Sequence, residues 1–218
     1  MHIVASNVAV TGTSGRMLAP TSLEVSSGEL LVVTGDPNDG HTALALALSG
    51  RMRPDEGSVR VDDDPRPARL RRAIAVVDAP EITEPDDVVP LRDVVAEGLS
   101  LAGNRSGRRS VRNWLRERDL ADRAKDRFER LDHAQRTRVL LELAQLPRTT
   151  GALVLDRPDR HGTDPAAWHP AAAEHADNGM AVIVLCAPHS AERLDVPAAR
   201  IGADNIQRST PDSPEGAP

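Results

Sequence analysis

The segment at residues 32–50, VVTGDPNDGHTALALALSG, constrains the fold of this chain more than any other. It joins an apolar strand to a polar loop bounded by two glycines, and then to a helix predicted over 41–52. The glycines allow the backbone to wrap so that its N–H groups face inward, and the helix points its positive end at the same spot. The pattern therefore predicts an anion-binding loop, here called the P-loop, made of Gly35, Asp36, Pro37, Asn38, Asp39, Gly40, His41, Thr42 and Ala43.

Strands and helices alternate along the rest of the sequence, with one helical block in the middle. GALVLD and MAVIVLC are continuously apolar, as strands of a parallel sheet covered on both faces are. HIVASNVAV and SLEVSSGELLVV predict short alternating strands broken by glycine, RPDEGSVRVDD predicts a turn followed by another strand, and RRAIAVV predicts a further strand. Residues 90–146 carry apolar residues at three- and four-residue spacing. The sequence thus predicts an α/β fold with an inserted helical sub-lobe.

Composition narrows the class of protein. The formal net charge of −6 argues against a nucleic-acid partner, because phosphate binding needs a basic surface. The single cysteine, Cys186, excludes a disulfide framework. Only three residues are aromatic (Trp114, Phe128 and Trp168), so the core is expected to be aliphatic, built from Val, Leu, Ile and Ala. No apolar run reaches the roughly 18 residues of a membrane helix, and no signal-peptide pattern opens the chain. We therefore expect a cytoplasmic location.

A longer stretch, LEVSSGELLVVTGDPNDGHTALALALSGRMRPDEGSVRVDD, resembles the opening of ATP-binding cassette domains, the nucleotide-binding subunits of ABC transporters. Further likenesses follow in the order that the family has. LDHAQRTRVLLELAQL stands at the signature helix, ALVLDRPD at the Walker B strand, and MAVIVLCAPHS at the strand before the switch histidine. The resemblance covers residues 1–205, and the polar, proline-rich segment 206–218 is predicted to be a disordered tail.

This resemblance implies a specific architecture and set of ligands. The fold would be a P-loop NTPase (RecA-like) parallel sheet with an antiparallel N-terminal sub-sheet and a helical sub-lobe over about 90–146. Thr42 and Asp156 would hold Mg²⁺ beside bound ATP. The sub-lobe would dock a multi-span membrane permease, which would place the chain at the inner face of the cell membrane. A narrower resemblance is to short, actinobacterial-looking cassettes that read GRTxLLLALAGRM and also lack the P-loop lysine.

Several positions depart from the family pattern. His41 replaces the P-loop lysine and has a shorter reach, while Asp36 and Asp39 would repel phosphate. Arg157 follows Asp156 where the family has its catalytic glutamate, and an arginine cannot accept a proton. The resemblance therefore implies a degenerate site that binds ATP and Mg²⁺ weakly or not at all.

The signature, Q-loop and switch are altered as well. The signature-like residues are Leu131, Asp132, His133, Ala134 and Gln135, and we expect Asp132 to cap its own helix rather than to bind phosphate. Asp78 and Ala79 stand at the Q-loop position. Cys186 and Ala187 stand at the switch, followed by His189, for which we expect a surface loop.

Three functions fit these residues. The chain could be a cassette subunit or regulator that acts beside a permease and does not hydrolyse ATP alone. It could be an active half-site completed by a partner cassette subunit. It could also be a pure interaction module that works through the helical sub-lobe.

Overall fold

A computed structural model describes residues 1–13, 15–162 and 164–206. The β-strands are β1 His2–Gly12, β2 Gly15–Ser26, β3 Leu30–Thr34, β4 Glu56–Val61, β5 Ile74–Val77, β6 Ala152–Asp156, β7 Ala181–Cys186 and β8 Ala198–Arg200. The α-helices are α1 His41–Leu48, α2 Pro67–Ala73, α3 Leu91–Leu101, α4 Arg108–Arg116, α5 His133–Ala144, α6 His169–Asp177 and α7 Pro188–Leu194. Short 3-10 helices occupy Ala121–Arg123, Phe128–Arg130, Pro158–His161 and Pro165–Ala167.

The strands form two sheets. β2, β1 and β4 make an antiparallel sheet in that order, in which Ile3 of β1 pairs with Val25 on one side and Val61 on the other. The second sheet is parallel, with the order β5-β6-β7-β3-β8. Both predicted sheets are therefore present.

The order of the parallel strands decides where the site lies. Thr34, the last residue of β3, pairs with Cys186 at the end of β7, and Asp156 at the end of β6 pairs with Leu185. The loops that follow β3, β5, β6 and β7 consequently leave the sheet at one edge. In open α/β sheets the carboxyl ends of the strands are where ligands bind.

Two apolar clusters cover the two faces of the parallel sheet. One packs the antiparallel sheet and α1 against it and contains only aliphatic residues and alanines. The other joins the sheet to α3, α4, α5 and α6, and it buries all three aromatic residues: Trp114, Phe128 and Trp168. The expectation of an aliphatic core is thus correct for the first cluster and incomplete for the second.

The helical sub-lobe packs closely on itself. Gly98 of α3 lies so near Leu143 of α5 that an added Cβ would come within 2.9 Å of the leucine Cδ1. Within the described residues, no helix combines the length and the apolar character needed to cross a membrane. The domain limits 1–205 stay a prediction, and the predicted tail lies outside the described residues except for Ile206.

Three sequence-based element limits were wrong. The helix predicted over 41–52 ends at Leu48, because Gly50 adopts a φ of 66° and the N–H groups after it turn back to the carbonyl of Leu46. Arg71 and Arg72, predicted as strand, belong to α2, which begins at Pro67 where proline favours a helix start. His189 lies in α7 and not in a loop, although its side chain is exposed as expected.

Candidate functional site

The P-loop connects β3 to α1 and needs glycine at its last turn. Gly40 has a φ of 91°, and a Cβ there would lie 2.1 Å from the carbonyl oxygen of Met17. Asn38 also has a positive φ, of 78°, a value that asparagine tolerates better than most residues. The backbone therefore wraps as the two-glycine pattern predicts, with β2 closing over one side of the loop.

The first turn of α1 is open to an anion. No side chain caps its N-terminus, and the first N–H groups of a helix have no partner within the helix. The two loop carboxylates lie elsewhere: Asp39 accepts a hydrogen bond from the Asp36 N–H at 2.7 Å, and the exposed Asp36 carboxylate lies 3.9 Å from Arg200 Nη2. These contacts offset part of the repulsion that the carboxylates would exert on a phosphate.

His41 lies beneath the P-loop and not at its mouth. Its side chain is buried, and Nε2 donates a hydrogen bond to the carbonyl oxygen of Cys186 at 3.2 Å. The same carbonyl accepts the N–H of Gly35 at 3.2 Å. The imidazole thus ties the P-loop to the end of β7, and in this structure it does not take the place of the lysine ammonium that the family pattern has.

Thr42 and Asp156 are brought together as the resemblance implies. The Thr42 hydroxyl donates to Asp156 Oδ2 at 2.6 Å, while the buried Oδ1 has no hydrogen-bond partner within the described residues. Burial raises the pKa of Asp156, which the Thr42 hydrogen bond and nearby cations only partly oppose. A buried, unpartnered carboxylate oxygen beside a hydroxyl fits Mg²⁺, which prefers oxygen ligands.

Arg157 stands beside that carboxylate with an unusual backbone. Its φ is 48°, its N–H bonds to the Leu185 carbonyl at 2.8 Å, and its Nε lies 3.5 Å from Asp156 Oδ1, too far for a good hydrogen bond. The next carboxylate, Asp159, does not replace the missing glutamate. It accepts the Ala187 N–H and the Ser190 hydroxyl and so fixes the start of α7.

A groove of about 650 Å³ opens beside the P-loop. Its walls include Arg16 and Met17 from β2 and Arg200 at the end of β8. The Met17 side chain is 45% exposed, and the first 113 residues contain no aromatic residue that could stack on an adenine. Any base held here would contact a methionine and two arginines instead of an aromatic ring.

The signature-like residues lie at the start of α5, away from the P-loop. Asp132 caps the helix as predicted, because its Oδ1 accepts the Gln135 N–H at 2.8 Å. Gln135 in turn accepts a hydrogen bond from Arg123 at 2.5 Å, and Leu131 is buried while Ala134 is exposed. Within the described residues, no hydrogen bond or ion pair joins these side chains to the P-loop.

His133 of this group instead contacts the loop that follows Asp156. Its ring packs against that of His161 with 6.0 Å between centroids, and its Nε2 has no partner within the described range. Burial, together with the nearby His161, lowers the pKa of His133.

A buried ionic cluster at the Q-loop position was not predicted. The buried Asp78 carboxylate lies 3.0 Å from Arg136 of α5, 3.2 Å from Arg160 and 3.1 Å from His161. Glu84 completes the cluster, because its Oε1 lies 3.4 Å from Arg136 Nη2 and 3.0 Å from Arg160 Nη2. This ionic cluster joins the segment after β5, the helix α5 and the loop after β6.

The electrostatics of the ionic cluster favour a charged Asp78. Burial by itself would raise the pKa of this carboxyl, but the hydrogen bond to His161 and the charges of Arg136 and Arg160 outweigh it and lower the pKa. Asp78, Glu84 and His161 also present ligand atoms close enough together for a cation. The two guanidinium groups already supply that positive charge, so the arrangement does not favour a metal.

A signal for the buried arginine was present in the sequence. Val139, Leu140 and Leu143 form the apolar face of α5, and Arg136 precedes them by three, four and seven residues. Helical periodicity therefore puts Arg136 on the buried face. A charge at such a position requires an oppositely charged partner.

Comparisons with known proteins agree with this geometry. A sequence model of the family described as "ABC transporter" matches residues 18–159. The hemin import ATP-binding protein HmuV of Pseudomonas fluorescens (strain Pf0-1) is 31% identical over 194 residues, which are 83% of this chain and 75% of that protein. The taurine import ATP-binding protein TauB of Yersinia pestis bv. Antiqua (strain Antiqua) is 32% identical over 99 residues, which are 43% of this chain and 36% of that protein.

A solved structure of the ADP conformation of an ATP-binding cassette of an ABC transporter is similar in fold. It superposes with a TM-score of 0.65 at 16% identity, over 86% of this chain and 82% of that chain. The predicted fold class is therefore confirmed. The narrower resemblance to short actinobacterial cassettes stays a prediction.

Proposed function

The chain belongs to the ABC transporter family as an ATP-binding subunit, and on that premise we propose that it is a degenerate cassette of an import system that does not hydrolyse ATP alone. One observation carries the proposal. The pair that would hold the metal, Thr42 and Asp156, is in contact, whereas Arg157 occupies the position of the general base. A site of this kind retains a place for the cofactor and lacks the group that activates water.

ATP and Mg²⁺ are the cofactors we propose for this site. The N–H groups at the start of α1 would hold phosphate oxygens, and Asp156 with Thr42 would hold the metal. Bound Mg²⁺ neutralises phosphate charge. The Arg157 guanidinium lies beside the Asp156 carboxylate and partly neutralises its charge. Asp156 would therefore attract the metal ion less strongly.

The proposed partner is a multi-span membrane permease, which would keep the chain in the cytoplasm at the inner face of the membrane. An apolar groove of about 390 Å³ runs between the segment after β5 and the helices α3 and α5. Ile82 and Leu101 line it and are 50% and 81% exposed. Exposed apolar side chains around a groove are typical of a protein-binding site. The named relatives concern hemin and taurine, so we propose import without a particular cargo.

A calorimetric titration with ATP, with and without Mg²⁺, tests the proposed cofactors. We expect weak binding that Mg²⁺ strengthens, and a loss of about 10- to 100-fold in metal affinity for Asp156→Asn. Thr42→Val removes the hydroxyl and should act in the same direction, whereas the matched variant Thr42→Ser keeps it and should bind like the unmodified chain. ATP binding that ignores Mg²⁺ in all four proteins would contradict the assignment.

A turnover assay tests the second half of the proposal. The unmodified chain should release no phosphate above the buffer rate, because Arg157 cannot take a proton from water. The double variant His41→Lys/Arg157→Glu should gain little, since the Q-loop, signature and switch positions remain altered. Robust turnover by the unmodified chain would exclude a degenerate site, and turnover only with an added cassette subunit would favour a shared half-site.

A further inference from the structure

The helical sub-lobe contains a strongly basic segment in an otherwise acidic protein. Residues 103–127 hold nine Lys or Arg and four Asp or Glu, although the whole chain carries a formal charge of −6. Positive charge is therefore concentrated in this part of the fold, although the chain as a whole is negatively charged.

Four of these cations lie along one side of α4. Arg108, Arg112 and Arg116 are spaced by four residues, and Arg109 adjoins them one residue along. On an α-helix this spacing forms a single ridge. All four side chains are exposed, and we call them the α4 arginine stripe. The opposite side of the helix is buried through Val111, Trp114 and Leu115.

Nothing within the described residues compensates the α4 arginine stripe. None of its four guanidinium groups forms an ion pair there, although neighbouring Arg118 and Arg123 do. Like charges four residues apart destabilise a helix, and so do cations in a first turn that contains no acidic residue. Both the repulsion between the arginines and their position at the helix start destabilise α4, and no partner within the described residues offsets either effect. This arrangement points to an anion outside the chain.

A groove next to the α4 arginine stripe has the same sign of charge. It measures about 820 Å³ and lies between α3 and α4, lined by Arg108 and Arg112 of the stripe and by Arg92 and Lys125. Asp93 is the one carboxylate among the described lining residues, and it is paired with Arg92 at 3.4 Å. Arginine suits phosphate oxygens because its planar fork can bind two of them at once.

The charge of the α4 arginine stripe matches a membrane surface. Exposed clusters of Lys and Arg are attracted to the anionic headgroups of a membrane. A free polyanion such as nucleic acid would instead meet repulsion from the acidic remainder of the chain.

We propose that the α4 arginine stripe binds anionic phospholipid headgroups, so that the sub-lobe contacts the membrane surface directly. The α3 helix separates the basic groove from the apolar groove proposed for the permease, since the two grooves are lined by different residues of α3. The inference rests on the proposed function only in that a membrane permease would hold the chain close to the membrane. It does not depend on nucleotide binding.

Vesicle flotation with the purified full chain tests this proposal. The chain should float with vesicles that contain one quarter phosphatidylglycerol in phosphatidylcholine, and not with pure phosphatidylcholine. Binding should weaken as salt is raised, because exposed charges are then screened. Neutralising the α4 arginine stripe with Arg108→Gln, Arg109→Gln, Arg112→Gln and Arg116→Gln should lower the bound fraction at least tenfold.

A matched control separates the stripe from net charge. Arg53, Arg71, Arg72 and Arg148 are exposed and lie outside the helical sub-lobe, and changing all four to glutamine removes the same charge. This control should float like the unmodified chain, and circular dichroism should show both variants folded. Equal losses in the two variants, failure of the unmodified chain to float, or tighter binding to duplex DNA than to vesicles would each overturn the proposal. ATP titration of the stripe variant should be unchanged, so the two proposals fail separately.

Discussion

At the scale of single residues, His41 shows how a substitution can exchange one role for another. A lysine at this position of a P-loop provides a cation for bound phosphate. The imidazole instead shares the Cys186 carbonyl with the Gly35 N–H and fills buried space under the loop. The residue therefore contributes to the stability of the P-loop before any ligand arrives.

Replacing His41 should consequently cost stability. His41→Ala removes a buried ring and its hydrogen bond, and we expect the free energy of unfolding in urea to fall by about 1–3 kcal/mol. His41→Gln keeps a donor that can reach the same carbonyl and should lose less. Equal midpoints for all three proteins would mean that the buried contact with Cys186 contributes nothing.

Gly40 supports a second prediction at this scale. Gly40→Ala would place a methyl group 2.1 Å from the Met17 carbonyl oxygen, at a φ of 91° that L-residues rarely adopt. We expect a loss of at least about 2 kcal/mol in the free energy of unfolding, together with loss of any ATP binding seen in calorimetry. Gly28→Ala is a suitable control, because it has a similar φ of 88° and open space around its Cβ.

At the scale of elements, α5 connects parts of the site that lie far apart in the sequence. Arg136 binds Asp78 after β5, and Arg160 in the loop after β6 binds the same carboxylate. Together with the Asp132 cap, these contacts fix both the start of the helix and the segments on either side of it.

The ionic cluster predicts a specific response to acid. The pKa of Asp78 is lowered in the folded state, so its contribution to stability is present above its unfolded pKa of about 3.9 and is lost as pH falls through the lower folded value. Asp78→Asn should lose about 3 kcal/mol at pH 7, because it leaves buried guanidinium groups with less opposing charge.

A pH series of urea unfolding curves checks this. The difference between Asp78→Asn and the unmodified chain should shrink below about pH 4, because the Asp78 carboxyl is protonated first in the unfolded chain, and it should be lost once the pH falls through the lower folded pKa. Asp63→Asn is a control, since Asp63 is almost fully exposed at the surface. A difference that stays constant down to pH 2 would show that Asp78 acts through its size and not its charge.

The sequence predicted elements better than it predicted contacts. Apolar runs such as β6 and β7 were found because a buried parallel strand leaves an unbroken pattern, and the P-loop because turn geometry demands glycine. The short helix α2 was missed because its sequence, PARLRRA, contains a single large apolar residue and so shows no clear apolar periodicity. The strand β8 was missed because three residues are too few to show an alternating pattern. The ionic cluster depends on long-range contacts, since Asp78 and Arg160 are 82 residues apart.

At the scale of the whole molecule, charge is distributed unevenly. Cations are concentrated on the α4 side of the sub-lobe, whereas Asp36 and Asp39 lie on the P-loop and Asp132 lies at the signature. The family resemblance implies that a dimer would close head to tail, with the P-loop of one copy against the signature of the other, and these carboxylates would then face each other. Opposed carboxylates at about 4 Å would resist closure by roughly 4 kcal/mol at an effective dielectric near 20.

We therefore expect the chain to remain a monomer in solution. Light scattering with saturating ATP and Mg²⁺ should give the same mass as without them. The triple variant Asp36→Asn/Asp39→Asn/Asp132→Asn removes the opposing charges and should associate more readily if charge is the obstacle. A clear doubling of mass for the unmodified chain would refute the expectation.

The position of Cys186 gives the protein a built-in reporter of its own opening. Its thiol is fully buried at the end of β7, and burial together with the charge of Asp159 raises its pKa to about 12. A thiol reagent should therefore react only in molecules whose β7 has separated from the P-loop, and no second cysteine would add to the signal. The labelling rate would report how often this opening occurs, without any engineered probe. A ligand that stabilises the P-loop should lower that rate.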